Sequence, residues 1–423
     1  MQFNLKLTEK GAIYVTSQQP VDIHGKPYNR SLLVGVLLIG TFCTILNQTL
    51  LTTALPTLMK EFDISASSVQ WLTTGFLLVN GIMIPISAWL INKFSSKKLY
   101  ITAMSTFLIG TIICFVAQDF GMLLTGRLVQ AAGVGVSMPL LQTIMLSIFP
   151  PEKRGAAMGT TGIVIGLAPA LGPTLSGWII DSYTWRDLFG MVIPIVVLVL
   201  ILASFLMKNV IQLSNPSIDV LSVILSTLGF GSLLYGFSSV GDKGWGSPQV
   251  YGFLIVGAIV LCLFTYRQLH LEQPFLELRV FKSKVFTVAA ILSGVTNMAM
   301  IGAEMVLPLY IQNIRGESAF HSGLMLLPGA LVMGLMMPVT GRIFDKIGAR
   351  RLAITGMFIL TAATLPFAFL TKATPIIYII VLYAIRMFGI SMVMMPVTTS
   401  GMNALPMNLL SHGTAVNNTF RQV

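Results

Sequence analysis

Apolar residues occur along the chain in long blocks that are separated by short polar stretches. Each block is about 20 residues long, the length that an α-helix needs to cross the hydrocarbon core of a bilayer. We expect helices rather than open strands because lipid offers no hydrogen-bonding partner to free backbone groups. The predicted segments, numbered 1 to 12, are 31–58, 68–91, 98–117, 121–148, 155–180, 188–207, 218–239, 249–267, 285–312, 321–343, 351–371 and 375–398.

The composition strengthens this prediction of an all-α integral membrane protein. Only 10% of the 423 residues are charged, 55% are hydrophobic, and the mean hydropathy is +0.83. Soluble domains carry about 25% charged residues, so this chain has too few charges to cover a water-facing surface. The net charge of +11 does not indicate a nucleic-acid partner, because the basic residues lie in short loops between apolar blocks.

The distribution of basic residues predicts the orientation. With the N-terminus placed inside, 18 Lys and Arg residues fall on the cytoplasmic side and 5 on the outer side. Cytoplasmic loops carry an excess of Lys and Arg. We therefore expect a multi-pass protein of the cell inner (plasma) membrane with a cytoplasmic N-terminus. Three further basic residues, Arg127, Arg386 and Arg421, lie within helical segments.

The chain contains an internal repeat. Residues 87–99, after segment 2, match residues 340–352, after segment 10, at an offset of 253 positions. Arg127 in segment 4 and Arg386 in segment 12 form a second matching pair. Halves that are related by an axis along the membrane normal are typical of a large class of secondary transporters.

The position of the repeat predicts the domain organisation. Two six-helix halves in tandem would place the second copy after segment 8, so segments 7 and 8 are predicted to be inserted between the halves. The predicted parts are a cytoplasmic N-terminal segment (1–30), an N-terminal six-helix bundle (31–207), the inserted helices 7–8 with a cytoplasmic linker (208–284) and an incomplete C-terminal bundle (285–423). Residues 410–423 have the pattern of the start of a helix 13, and we expect about one and a half helices to be missing. The alternative is a complete 12-helix protein with irregular halves.

The repeated loops contain small, acidic and basic residues at fixed spacings. A loop that is basic only for orientation would need no such spacing. Glycine lets helices approach closely, and an acid can bond a helix N-terminus or an arginine. The second copy contains Gly341, Asp345, Lys346, Gly348 and Arg350, whereas the first has Asn92 and Lys93 at the acidic and following basic positions.

Segments 1 and 4 carry polar residues at membrane depth. A charge there costs several kcal/mol unless it faces protein or water, so Arg127 requires a partner. Gln130 lies one helical turn further on and shares its face. Asn47 and Gln48 in segment 1 are candidates to bond Arg127 or to line a cavity. The predicted intramembrane polar network is Asn47, Gln48, Arg127, Gln130 and Arg386.

Segment 5 contains a series of small residues and a Gly-Pro pair. Small residues permit close packing of another helix, and the Gly-Pro pair bends the segment. Packing alone would also explain the series. The residues are Gly159, Ala168, Gly172, Pro173 and Gly177.

Taken together and in this order, the motifs resemble those of the 14-helix drug:proton antiporter branch of the major facilitator superfamily. The resemblance covers residues 31–423. It implies a major-facilitator fold of two pseudo-symmetric helix bundles with two inserted helices between them. It also implies that the loop motif is a cytoplasmic latch, that the segment 5 motif accompanies export, and that lipophilic small molecules or drugs leave in exchange for protons by alternating access. The family commonly has an Asp where this chain has Asn47.

Glu304 is the candidate residue for proton coupling. Of the 15 Asp and Glu residues, only Glu304 lies well inside an apolar block, in segment 9. Apolar surroundings favour the neutral form of a carboxyl group, which brings proton binding and release towards neutral pH. Asn47 cannot titrate, and Glu304 follows Leu51 by the repeat offset of 253 residues. The alternative is a structural hydrogen bond to a neighbouring helix.

No enzyme site or cofactor site is predicted. The chain has no P-loop, and its 4 His residues have no metal-binding spacing. The expected partners are a small lipophilic substrate, protons and the lipid bilayer, and we expect a monomer. Two alternatives stay open: a dedicated exporter of an amino acid or metabolite, and a non-transporting membrane sensor or inactive fragment. The latter would have no reason to retain both Glu304 and Arg127 within the membrane.

Overall fold

The protein is an assembly of long membrane-spanning helices. A computed structural model describes residues 5–7, 13–15, 20–51, 54–214 and 216–422. Within this part, 12 helices are long and apolar enough to cross a membrane, which confirms the all-α membrane fold. Their α-helices are α1 Arg30–Leu50, α2 Ala66–Lys93, α3 Ser96–Phe115, α4 Phe120–Ile148, α5 Arg154–Ser182, α6 Val192–Leu206, α7 Val220–Ser238, α8 Pro248–His270, α9 Lys284–Leu309, α10 Ala319–Ile347, α11 Ala349–Thr364 and α12 Ile376–Asn403, followed by α13 Leu410–Gln422. The span of α6 begins at Asp187 and the span of α11 ends at Phe369, because each includes an adjacent short helix or 3-10 turn.

Shorter elements connect or extend the long helices. A two-stranded antiparallel hairpin, β1 Leu5–Leu7 and β2 Ile13–Val15, was not predicted from the sequence. The short α-helices are Leu55–Phe62, Asp187–Gly190 and Val240–Lys243, and a π-helical turn spans Tyr310–Ile314. The 3-10 turns are Pro151–Lys153, Leu278–Lys282, Leu365–Phe369 and Met407–Leu409.

Prolines account for two differences between the predicted and the observed helix ends. Segment 1 was predicted to reach residue 58, but α1 ends at Leu50 and Pro56 lies in the first turn of a separate short helix. Segment 11 was predicted to reach residue 371, but α11 ends at Thr364 and Pro366 opens a 3-10 turn. Proline lacks a backbone N–H, so it suits the first turn of a helix better than its interior.

The helices form two groups. In the first, α4 packs on α2 and α3, while α1 packs on α5 and α6. In the second, α12 packs on α9, α10 and α11. The groups meet where α5 lies along α10 and where α2 lies along α13. We call the end that carries the N-terminal segment and the two repeated loops the basic end.

Helices α7 and α8 form a hairpin beside the first group. Their main contacts are with each other, and α7 also packs on α2. Only 22% of the most apolar part of α7 and 17% of that of α8 are buried in the protein, so lipid covers most of this hairpin. The two helices therefore lie outside the core of the second group.

Hydrogen bonds at the basic end fix the base of the α7–α8 hairpin. Arg267 donates to the carboxylate of Asp219 at 2.8 and 3.0 Å, and Gln268 donates to Ser222 Oγ at 2.5 Å. The hydrogen bonds from Arg267 lower the pKa of Asp219 to about 2. Asp219 is thus an ionised structural group at neutral pH.

Replacement of Asp219 by Asn should destabilise this base. The side chains of Arg267 and Asp219 are 35% and 18% exposed, so water screens the ion pair. We expect a loss of about 0.5–1 kcal/mol in the free energy of unfolding. Thermal unfolding of the purified protein in detergent measures the change. Glu272→Gln, which removes an exposed acid in the adjacent linker, is the control and should keep the wild-type melting temperature. Equal melting temperatures for all three proteins would contradict the prediction.

Candidate functional site

Arg127 is the centre of a polar cluster inside the first bundle. Its side chain is 1% exposed and lies on α4. Nη1 donates to Asn47 Oδ1 at 2.8 Å and to Gln130 Oε1 at 2.9 Å, and the guanidinium lies 4.2 Å from the centre of the Phe76 ring. Gln130 Nε2 in turn donates to Thr111 Oγ1 at 2.8 Å. The cluster therefore joins α1, α2, α3 and α4.

The Arg127 cluster holds a fixed charge and provides no titrating acid. All the acceptors that bond Arg127 in the described structure are neutral, and the aromatic face of Phe76 adds a cation–π contact. The guanidinium stays protonated and Asn47 cannot lose a proton. Gln48, which was predicted to belong to the network, is half-buried, and its side chain makes no hydrogen bond to any described residue.

A second buried arginine lies in the second bundle. Arg386 on α12 is 1% exposed. Its Nε donates to Thr364 Oγ1 at 3.1 Å, and Nη2 donates to the backbone oxygen of Ala299 on α9. Glu304, also on α9, is within electrostatic range of Arg386 and of Tyr383. Among described residues, no basic group lies within ion-pair distance of Glu304.

The two arginine clusters lie in corresponding helices of the two halves, with their arginines 259 residues apart. Thr111 and Thr364 are 253 residues apart, the same offset that relates the two loops. Thr111 bonds the glutamine that binds Arg127, and Thr364 bonds Arg386 directly. The clusters differ in that the first contains an amide and the second an acid, Glu304.

The second-half loop motif joins the two bundles at the basic end. Asp345 near the end of α10 accepts hydrogen bonds from the backbone N–H groups of Gly155 and Ala156, at 2.8 and 2.9 Å, in the first turn of α5. A carboxylate at a helix N-terminus is stabilised by the helix dipole. A Cβ atom at Gly341 would overlap the carbonyl oxygen of Gly155, so the two backbones are in direct contact.

The other residues of this motif have separate places. Gly348 has a φ of 77° and lies between α10 and α11, where its left-handed backbone permits the turn. Lys346 and Arg350 are exposed at the basic end.

The first-half loop motif makes a corresponding contact without an acid. Asn92 on α2 accepts a hydrogen bond from Ser411 Oγ at 2.8 Å, and its Nδ2 is 3.1 Å from Nε2 of His412, both on α13. Nδ1 of His412 accepts from the backbone N–H of Glu277 at 3.2 Å. The amide therefore connects α2 to the start of α13. Lys93 follows as a half-buried residue.

The small residues of α5 face two different neighbours. A Cβ at Gly159 would lie 2.6 Å from the backbone oxygen of Met337 on α10, whereas Gly172 packs against Thr49 of α1. Ala168 is fully buried, and Pro173 lies within the helix. A Cβ placed at Gly177 would have no described atom of another helix within 4 Å. The α10-facing side also includes Gly155, Gly162 and Gly166, which were not predicted. Their helical spacing with Gly159 was the signal that could have identified them.

Amide side chains that join α13 to its neighbouring helices were also missed. Asn418 donates to Gln142 Oε1 at 2.8 Å, which joins α13 to α4. Asn297 on α9 donates to the backbone oxygen of Arg421 at 2.8 Å and accepts from its Nη2 at 3.3 Å. Amides within otherwise apolar segments are the sequence signal for such contacts. No group of three or more His, Cys, Asp or Glu residues in the described chain could hold a metal ion.

Comparisons with known proteins agree with this architecture. A family model described as Major Facilitator Superfamily matches residues 37–423. The MFS-type transporter YcnB of Bacillus subtilis is 57% identical over 401 residues, which cover 95% of this chain and 85% of YcnB. Lincomycin resistance protein LmrB of Listeria monocytogenes is 44% identical over 391 residues, covering 92% of this chain and 83% of LmrB.

A solved structure shows the same fold. The proton:xylose symporter XylE, bound to 6-bromo-6-deoxy-D-glucose, superposes with a TM-score of 0.67 at 16% identity and covers 93% of this chain and 87% of XylE. At this identity the likeness concerns the fold alone. Because the family model spans 37–423 and relatives match along almost the whole chain, the protein belongs to the Major Facilitator Superfamily.

Proposed function

We propose that the protein exports lipophilic small molecules or drugs across the cell membrane in exchange for protons. Membership of the family makes it a transporter rather than an enzyme, and a relative at 44% identity is named a lincomycin resistance protein. The observation that carries proton coupling is Glu304, an acid at membrane depth within electrostatic range of the buried Arg386. The remaining acids of the described spans lie close to the span ends.

Glu304 suits proton coupling because its charge has a strong effect in this environment. When protonated it is neutral and leaves Arg386 with neutral acceptors, Thr364 and the Ala299 carbonyl. When deprotonated it attracts Arg386 or a cationic substrate, since charges interact strongly where water is excluded. Asp219, the acid that precedes α7, is bound by Arg267 outside the span and stays ionised at neutral pH.

Alternating access requires the basic end to open and close. In this structure that end is closed by bonds between the bundles: Asp345 binds the start of α5, Asn92 binds the start of α13, and Arg154 Nη1 donates to Asn403 Oδ1 at 2.9 Å. In the proposed orientation, with the N-terminus in the cytoplasm, the transporter is closed to the cytoplasm. This orientation is supported by the basic residues, of which 18 fall on the cytoplasmic side and 5 on the outer side.

The proposed domains follow the contacts between helices. Residues 31–207 form the first bundle, 208–284 contain the inserted hairpin with its linker, and 285–423 belong to the second bundle. The contacts of α4 with α2 and α3, of α12 with α9, α10 and α11, and of α7 with α8 support this division. We propose that the protein acts as a monomer.

Collapse of the proton gradient should stop export. Cells that express the protein and are loaded with ethidium should lose the dye quickly when energised. A protonophore should reduce efflux to the rate of cells without the protein. Depletion of ATP while the gradient is kept should leave efflux unchanged. Efflux that continues without a proton gradient would contradict antiport.

Glu304→Gln should separate substrate binding from proton coupling. Gln keeps the shape of the side chain but cannot titrate, so binding should persist while uphill efflux falls to background. Glu304→Asp should retain partial activity. Asp181→Asn, which removes an exposed acid at the far end of α5, is the matched control and should pump normally. Normal uphill transport by Glu304→Gln would assign Glu304 a structural role.

Asp345→Asn should favour opening at the basic end. The amide can accept only through its single oxygen, so one of the two bonds to α5 is lost. We expect the closed state to lose about 1–2 kcal/mol, a change of about 5- to 30-fold in the ratio of states. Opening is measured by the alkylation rate of the side chain introduced by Gln142→Cys. Asn418 covers this position in the closed state.

The control for this experiment is Glu152→Gln, which removes an exposed acid at the same end. It should leave the alkylation rate unchanged. A rate in Asp345→Asn no higher than in this control would contradict the role of Asp345 in closure.

A further inference from the structure

A groove at the basic end is not used by the transport mechanism. It has a volume of about 1060 Å³ and lies between the start of α1, the start of α5 and the end of α10. Its polar end includes Tyr28, Arg30, Lys153 and Arg342, and its deeper wall includes apolar residues. The apolar wall residues are Val34, Leu38, Ala157 and Pro338.

The polar end of the groove concentrates positive charge. Arg30, Lys153 and Arg342 come from three distant parts of the chain, and no acid lies among the described residues that line the groove. None of the three takes part in an ion pair within the described structure. Asp345, one turn from Arg342, is already bonded to two backbone N–H groups of α5. Three like charges gathered in this way favour an anion.

Arg30 has an unused donor in the groove. Its guanidinium lies 5.0 Å from the centre of the Phe149 ring. Its Nε is buried and has no hydrogen-bonding partner among the described residues. A buried donor without a partner is unfavourable, and a small shift of the Arg30 side chain towards an anion in the groove would satisfy it.

The rim of the groove is a fixed part of the fold. The N–H of Ile23 donates to the backbone oxygen of Asn209 at 3.0 Å, and Asp22 accepts from two backbone N–H groups of its own turn. Asn29 caps α1 by accepting from the N–H of Leu32 at 3.2 Å. The segment before α1 is therefore held in place beside the cationic residues.

We propose that the groove binds one anionic phospholipid, with its phosphate between Arg30, Lys153 and Arg342. A helix rises 1.5 Å per residue, so Leu38 lies about 12 Å further along α1 than Arg30. The cations at one end of the groove would bind the lipid phosphate, and the apolar wall below them would pack against an acyl chain. A soluble phosphate would leave that wall uncovered. Basic pockets between helices on the cytoplasmic side are suited to anionic lipid headgroups.

The occupant would contact both bundles. Lys153 precedes α5, and Arg342 lies on α10 one residue after Gly341, where the two helices touch. Separation of the bundles at this end would move these two cations apart. The lipid therefore stabilises the state that is closed at the basic end.

Lipid binding can be tested without measuring transport, so its failure is distinct from failure of the proposed export. The purified protein is equilibrated with phosphatidylglycerol or phosphatidylcholine in detergent, and bound lipid is counted by native mass spectrometry. The test variant combines Arg30→Gln, Lys153→Gln and Arg342→Gln. The control combines Lys98→Gln, Lys282→Gln and Lys284→Gln, which remove the same charge at exposed positions of the basic end outside the groove.

We expect one tightly bound phosphatidylglycerol on the wild type and the control, and about tenfold weaker binding by the test variant. Phosphatidylcholine should bind weakly to all three. Val34→Trp keeps the three cations but fills the space beside the apolar wall, so it should also displace the lipid. This second variant tests the proposal if the triple variant does not fold. Equal binding by the triple variant and the control would overturn the proposal. Displacement of phosphatidylglycerol by inorganic phosphate at similar concentration would overturn it too, because the site would then recognise a soluble anion.

Discussion

Every polar group at membrane depth must find its hydrogen-bonding partner inside the protein, because lipid provides none. This constraint explains why the described spans are helices and why polar side chains occur in clusters. Arg127 and Arg386 are each 1% exposed, and each is surrounded by acceptors from other helices. The same constraint makes polar contacts between bundles valuable. The Asn418–Gln142 contact joins α13 to α4, and the Ser411–Asn92 contact joins α13 to α2.

Both bundles satisfy this constraint with a similar arrangement around a buried arginine, but the polar residue near the arginine differs between them. Each has a buried arginine bonded, directly or through one glutamine, to a threonine at the same repeat position. In the first bundle the arginine binds Asn47, whose amide cannot titrate. In the second bundle Glu304 is near the arginine without forming a close ion pair. A pair that is already closed would hold the carboxylate ionised, whereas a separated acid can exchange a proton with little rearrangement of Arg386.

Features that depend on the local sequence pattern, such as the spans, could be predicted. Contacts that depend on which helix faces meet in the fold were missed. All 12 spans were predicted because each is a continuous apolar block. The cost of an unpaired buried charge predicted that Arg127 has a partner, and Asn47, one of two candidates, accepts its hydrogen bond. Helix ends near Pro56 and Pro366 were misplaced because hydropathy does not change there. The glycine face of α5 and the partners of α13 were missed, because only the fold shows that α5 meets α10 and that α2 meets α13. The basic groove is built from three sequence-distant cations and could not be predicted for the same reason.

The two junctions between the bundles differ in strength, and this difference bears on how the basic end opens. At the α5–α10 junction, the charged Asp345 bonds two backbone N–H groups at a helix N-terminus, and glycine brings the backbones into contact. At the α2–α13 junction, the neutral Asn92 bonds one hydroxyl group and a histidine ring. Charge-assisted hydrogen bonds are about twice as strong as neutral ones. The hydrogen bonds of Asp345 at the α5–α10 junction are therefore stronger than those of Asn92 at the α2–α13 junction. The α13 side adds further neutral contacts, including the one between Asn418 and Gln142.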